Sequence, residues 1–242
     1  MEYRIAFWMQ VIGMALNNVF FLFFWWIIFQ RVTDLGGYQY QDIMAIWALA
    51  ASTFGFLHIC FGNVRRLSGI IINGELDQYL LQPKDVMINV HCSRMIVSAW
   101  GDFFYGYILF FVVNGFAPIK LLLFSLFVVA GGLLMGAVMI SADTLTFFIG
   151  NSSSVTRLVT EFILNFSLYP DSIFRQQVKW IIYTLLPTGF MVFIPYRILQ
   201  VFSWSGLMGL LAFDAVYILI AYLFFQKGLK RYESGNLITT KL

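Results

Sequence analysis

The sequence predicts an all-α polytopic membrane protein. It has six transmembrane helices, a short cytoplasmic coupling helix between the second and third, and a re-entrant helical hairpin before the last. Three observations predict this. Hydrophobic residues make up 60% of the 242-residue chain and charged residues only 11%, where a soluble domain carries roughly 45–50% and about 25%. Mean hydropathy is +0.81. The few charges are spaced so that several uncharged stretches reach the roughly 20 residues a helix needs to cross the hydrocarbon. A soluble globule of this length could not bury so much apolar surface, and disorder needs low hydrophobicity and high charge.

The spans follow from the gaps between charges. No charge falls between Arg4 and Arg31, which places a first span near 9–29, its second half almost continuously aromatic or aliphatic. The uncharged run between Asp42 and Arg65 gives a second, 43–62. A third, 95–116, tolerates Asp102, and Ala117-Pro118 turns the chain into a charge-free fourth at 121–140. Gly131, Gly132 and Gly136 lie in the fourth, and small residues let helices approach closely in lipid. Asn151-Ser152-Ser153-Ser154 reads as a loop. The stretch from there to Pro170 gives a fifth span, 152–169, on which Arg157 and Glu161 stand one turn apart and can pair.

Residues 170–205 are apolar but broken by Pro170, Pro187, Gly189 and Pro195, and they carry Arg175, Lys179 and Arg197. Pro187 removes a backbone donor in the middle of the uncharged run 180–196. Two short helices are therefore expected to enter the outer membrane edge and turn back, because broken backbone at that depth is tolerated where protein or a wet cavity covers it. A sixth span, 206–226, contains only Asp214. The whole of 1–242 is then one transmembrane domain.

Orientation follows from the distribution of Lys and Arg. With the amino terminus inside, the inner side carries Arg4, Arg65, Arg66, Lys84, Arg94, Arg157, Lys227, Lys230, Arg231 and Lys241. The outer side carries Arg31, Lys120, Arg175, Lys179 and Arg197. That asymmetry predicts both termini in the cytoplasm. The first apolar run is too long for the h-region of a cleavable signal. The basic residues are scattered and make no stripe for nucleic acid. Cys60, Cys92, His58 and His91 read as packing residues rather than a disulfide framework or a metal site.

The inner loop, 63–94, holds the most specific signal. Leu76, Tyr79, Leu80 and Pro83 follow the spacing of one helical face. Glu75 and Asp77 fall in the first turn, where acids favour the helix dipole, Gly74 precedes it and Pro83 ends it. A helix floating on lipid favours Lys and Arg on its polar face, so a protein partner fits this one better.

The run Gly74-Glu75-Leu76-Asp77, followed by Leu80-Leu81 and Pro83, resembles the cytoplasmic-loop motif of ABC-transporter permeases of the ABC-2 type, in a bacterial branch of largely uncharacterised export permeases. Tyr169-Pro170-Asp171-Ser172-Ile173-Phe174 resembles the Tyr-Pro segment of that branch. Leu186-Pro187 and Ile194-Pro195-Tyr196-Arg197 resemble its paired proline turns. Gln82 departs from the Arg that often precedes the proline of the loop motif.

The resemblance implies a permease dimer, of like or unlike chains, seated on cytoplasmic ABC ATPase subunits that bind ATP and Mg. This chain has no G-x-x-x-x-G-K-[ST] phosphate loop, no H-E-x-x-H pair and no G-x-S-x-G elbow, so the ATPase is expected on a separate polypeptide. ATPase coupling is expected at Gly74, Glu75, Leu76, Asp77, Tyr79, Leu80, Leu81 and Pro83. An outer gate is expected at Pro170, Pro187, Pro195 and Arg197. Polar residues inside spans are pathway candidates by default: Asn17, Asn18, Asp102, Glu161 and Asp214, whereas Asp143, at an inner span end, is expected to be wet. The competing readings are a membrane-embedded enzyme, which needs convergent catalytic groups, and an ATP-independent channel or carrier, which favours broken helices in both halves.

Overall fold

The computed structural model describes residues 2–233; Lys241 of the basic tail lies outside them. Helix accounts for 77%, and no strand occurs among the described residues. The helices are α1 (Glu2–Phe29), α2 (Tyr40–Cys60), α3 (Leu67–Ile72), α4 (Asp77–Leu80), α5 (Val86–Cys92), α6 (Ala99–Asn114), α7 (Pro118–Thr144) and α8 (Thr146–Ile149). After them come α9 (Ser153–Leu168), α10 (Gln176–Tyr183), a π-helical turn at Gly189–Phe193 that runs into α11 (Ile194–Gln200), and α12 (Trp204–Leu229).

Among the described residues, four segments are long and apolar enough to cross a membrane: Arg4–Phe29, Tyr40–Cys60, Pro118–Ile149 and Trp204–Leu229. Three of them begin where local chemistry suits the free N–H groups of a first turn. Asp42 accepts from the backbone of Gln39 at 2.8 Å to start α2. Pro118 occupies the first turn of α7, where its missing donor does no harm. Ser203 accepts from Gly206 at 3.2 Å to start α12. α6 and α9 have 16 residues each, about 24 Å of helix. α6 starts four residues later than the sequence predicts, because Gly62 N–H donates to Arg94 O at 2.8 Å and Ile96 N–H to His58 O at 3.0 Å. Those bonds hold 94–96 against the end of α2 as a turn.

α2 and α7 form the core, with Ile43, Ile46, Leu49 and Leu57 on one and Phe124, Phe127, Leu134 and Met139 on the other, all fully buried. Helices touch backbone to backbone where glycine permits. A Cβ on Gly55 would sit 2.5 Å from Phe103 N, and one on Gly106 2.5 Å from Ala48 O, so α6 lies directly on α2. Gly132 of α7 leaves room for the ring of Phe56 on α2, a close approach of the kind expected of the fourth span.

The bundle has two chemically distinct ends. At one, Tyr38 of the α1–α2 connection meets Asp171 and Tyr196; this is the Tyr-Pro end. At the other, α3 to α5 lie beneath the helices, and Tyr222 of α12 donates to Asp85 at 2.9 Å; this is the loop end. Residues 170–203 leave the Tyr-Pro end and come back to it. Their turn places Ile181, Leu185 and Leu186 beside Val138, Ser141 and Ala142 of α7 and Val155 of α9, around an apolar cavity of about 570 Å³.

Candidate functional site

At the loop end, three short helices stand where the sequence predicts one. Gly74 adopts φ +72°, a left-handed conformation suited to glycine, and helix persists only over Asp77–Leu80. The apolar stripe divides. Leu76 is fully buried, and Tyr79 is half-buried with its hydroxyl 3.0 Å from Ser93 Oγ. Leu80 and Leu81 face outward, 43% and 87% exposed, beside exposed Gln82 and Pro83. Glu75 is exposed and accepts from Asn73 at 3.4 Å; Asp77 is half-buried. Leu76 and Tyr79 therefore anchor the segment, and Leu80, Leu81 and Pro83 form its free edge.

Asp85 and a set of hydroxyls around Asp143 tie this loop to the long helices. Asp85 accepts from Ile88 N–H at 3.0 Å, starting α5, and from Tyr222 on α12. Asp143, at the end of α7, is fully buried rather than wet. It accepts from the Thr156 hydroxyl of α9, and Ser152, at the start of α9, donates its hydroxyl to the backbone carbonyls of Ala142 and Asp143. Ser68 Oγ lies 2.8 Å from Thr146 Oγ1, which lies 2.7 Å from Ser152 Oγ. α3, α7 and α9 thus share one buried polar cluster. The sequence carried a signal for it, the Asn151–Ser154 polar run, but that run reads as an exposed loop.

At the Tyr-Pro end, Asp171 gathers three donors: Tyr38 at 2.6 Å, Tyr183 at 2.7 Å and Arg197 at 2.5 Å. Burial, followed by the hydrogen bond to Asp171, pushes the Tyr38 hydroxyl up to about 12. Pro170, Pro187 and Pro195 are all buried. Asp171 connects Pro170 to Arg197, while Pro187 lies at the distant turn of the segment. Asp171 and Tyr38, the centre of this cluster, were not among the sequence candidates.

Between the ends, a cavity of about 570 Å³ opens among α1, α2, α6, α7, α9 and the π-helical turn. Asn17, Asn18 and Asp102 line it. Asn18 Nδ2 donates to Asp102 Oδ1 at 2.6 Å, and Tyr105 donates to Asn18 O at 3.1 Å. The other two pathway candidates lie elsewhere. Glu161 is exposed, 4.0 Å from Arg157. Asp214 is buried on α12, with neither carboxylate oxygen hydrogen-bonded among the described residues.

A sequence profile of ABC-2 family transporter proteins matches residues 15–235, almost the whole chain. The chain belongs to the ABC-2 transporter family. No curated protein and no solved structure matches it. Membership of the ABC-2 family and the apolar helices make it a membrane permease, a transport subunit rather than an enzyme. The family also implies association with an ABC ATPase.

Proposed function

We propose that this ABC-2 protein is the membrane-spanning permease of an ATP-driven exporter in a prokaryotic cell membrane. It pairs with a second permease and moves an amphiphilic or hydrophobic cargo outward by alternating access. ATP and Mg bind on separate cytoplasmic ATPase subunits. The chain forms one domain of six crossings, α6 and α9 making the third and fifth, with both termini cytoplasmic. The alternation of the two ends along the chain supports that count. Residues 170–205 form a re-entrant hairpin and, with Pro170, Pro187, Pro195 and Arg197, an outer gate. In support, both ends of that segment meet Tyr38 while its turn lies deep beside α7 and α9.

The observation that carries this reading is the divided stripe at 74–83. Anchored by Leu76 and Tyr79 and presenting Leu80, Leu81 and Pro83, it is built to be pushed. Motion of the loop would reach α7 and α9 through the Ser68, Thr146 and Ser152 hydroxyls and α12 through Asp85. Leu81→Glu is expected to reduce co-purification of the ATPase by about tenfold or more, since one buried Leu contributes about 1.5–3 kcal/mol. The melting temperature of the permease should stay the same, because Leu81 touches little of its own chain. A complex that stays intact, with ATP hydrolysis still coupled to transport, would remove the loop edge from the contact.

A further inference from the structure

The cavity between α1, α2 and α9, to which α6 contributes Asp102, carries a chemical signature narrower than "amphiphile". Its loop-ward part holds Asn17, Asn18 and Asp102; the rest is walled chiefly by apolar and aromatic side chains, among them Phe21, Trp47, Phe54 and Tyr169. Phe21 and Trp47 lie 4.3 Å apart between ring centroids, and Phe21 and Tyr169 6.3 Å. No Lys, Arg or His is among the lining residues. Asn18 takes one oxygen of Asp102 but brings no charge. An ionised carboxylate in such surroundings is strongly unfavourable without a counter-charge, and aromatic faces attract cations. An anionic ligand would find neutral amide and hydroxyl donors there but no positive charge, beside a carboxyl group and ring faces.

We propose that this cavity binds an amphiphilic amine or quaternary ammonium compound. Its cationic head pairs with Asp102 at the loop-ward part, and its apolar body lies along Phe21, Trp47 and Tyr169. The proposal rests on the permease reading for its biological sense but not for its test. A tie between α1 and α6 alone would need only a hydrogen bond, which Asn at position 102 could also make; the carboxylate adds charge, and charge distinguishes ligands.

The test uses the full chain in lipid nanodiscs, without any ATPase. Binding of the fluorescent cation rhodamine 6G is followed by anisotropy and competed with 4-phenylbutylamine and with 4-phenylbutan-1-ol, a pair that differs in the charged head. In the native protein, rhodamine 6G should bind, and the amine should compete about tenfold or more better than the alcohol. Asp102→Glu should keep that preference, and Asp102→Asn should abolish it. If Asp102→Asn fails to fold, the amine-to-alcohol ratio in the native protein and in Asp102→Glu decides. Absence of rhodamine binding, equal competition by amine and alcohol, or an unchanged preference in Asp102→Asn would each overturn the proposal. None of these would touch the exporter reading, which stands or falls on ATP-driven transport by the assembled complex.

Discussion

Three aspartates each join separate elements, and two of them do so as acceptors for several donors. Asp85 joins α5 to α12, Asp143 joins α7 to α9, and Asp171 joins the α1–α2 connection to α10 and α11. A buried carboxylate costs least where donors surround it. Asp171 has the most legible geometry. Asp171→Asn removes the charge and turns one acceptor oxygen into a donor, leaving one tyrosine hydroxyl without its acceptor at about 1–3 kcal/mol. The expected result is a melting temperature lowered by several degrees and faster proteolysis between Arg31 and Gln39, with Tyr38→Phe giving a smaller loss. Unchanged melting in Asp171→Asn would make the cluster a surface feature without structural weight. Such clusters were hard to read from the sequence because the partners of an acid are set by folding. Tyr38 and Asp171 are 133 residues apart, and no local spacing announces their meeting. Asp102 and Glu161 looked equivalent as acids on spans, yet one lines a cavity and the other faces outward.

The long helices were legible because a run of uncharged apolar residues has few other solutions in lipid. The short ones were not. Periodicity marks an apolar face but not which neighbour will cover it, so the stripe from Leu76 to Pro83 looked like one docking surface when its first half packs inward. α3 to α5 act as one platform, and His91 lies at its base. It is buried, its Nδ1–H donates to Met87 O at 2.5 Å, and its Nε2 has no partner among the described residues. Burial lowers its pKa from 6.5 to about 4. The folded platform therefore holds the neutral ring and the unfolded segment binds the proton first. The stability it contributes is fully present above pH 6.5 and is lost as pH falls toward 4, at about 1.4 kcal/mol per unit. Amide hydrogen exchange across residues 61–98, corrected for intrinsic rates, should accelerate between pH 7 and pH 5, and His91→Phe should flatten that dependence. Equal protection at both pH values in the native protein would show that protonation of the ring is not what loosens the platform.

At the scale of the whole molecule, the proposed coupling requires that the platform and the Asp171 cluster face opposite sides of the membrane. Residues 31–39 and 170–172 meet at one end through Tyr38 and Asp171, and Asp85 meets Tyr222 at the other. α2 runs from the first toward the second, ending where Gly62 meets Arg94. The distribution of Lys and Arg predicts that the platform lies inside. This is testable by labelling single cysteines in intact cells with a membrane-impermeant maleimide, after Cys60 and Cys92 are replaced by Ser, since Cys92 is exposed. Thr33 suits the outer probe better than its glycine neighbours: it is exposed, whereas Gly36 and Gly37 hold φ +64° and +91°, which a cysteine would adopt only under strain. Gln78 is exposed on α4 and suits the inner probe. Thr33→Cys should label in intact cells, and Gln78→Cys only after permeabilisation. The reverse pattern would invert the protein and place the ATPase contact on the wrong side. Labelling of both probes from outside would remove the platform from the cytoplasm, and with it the proposed route for ATP-driven motion to α7, α9 and α12.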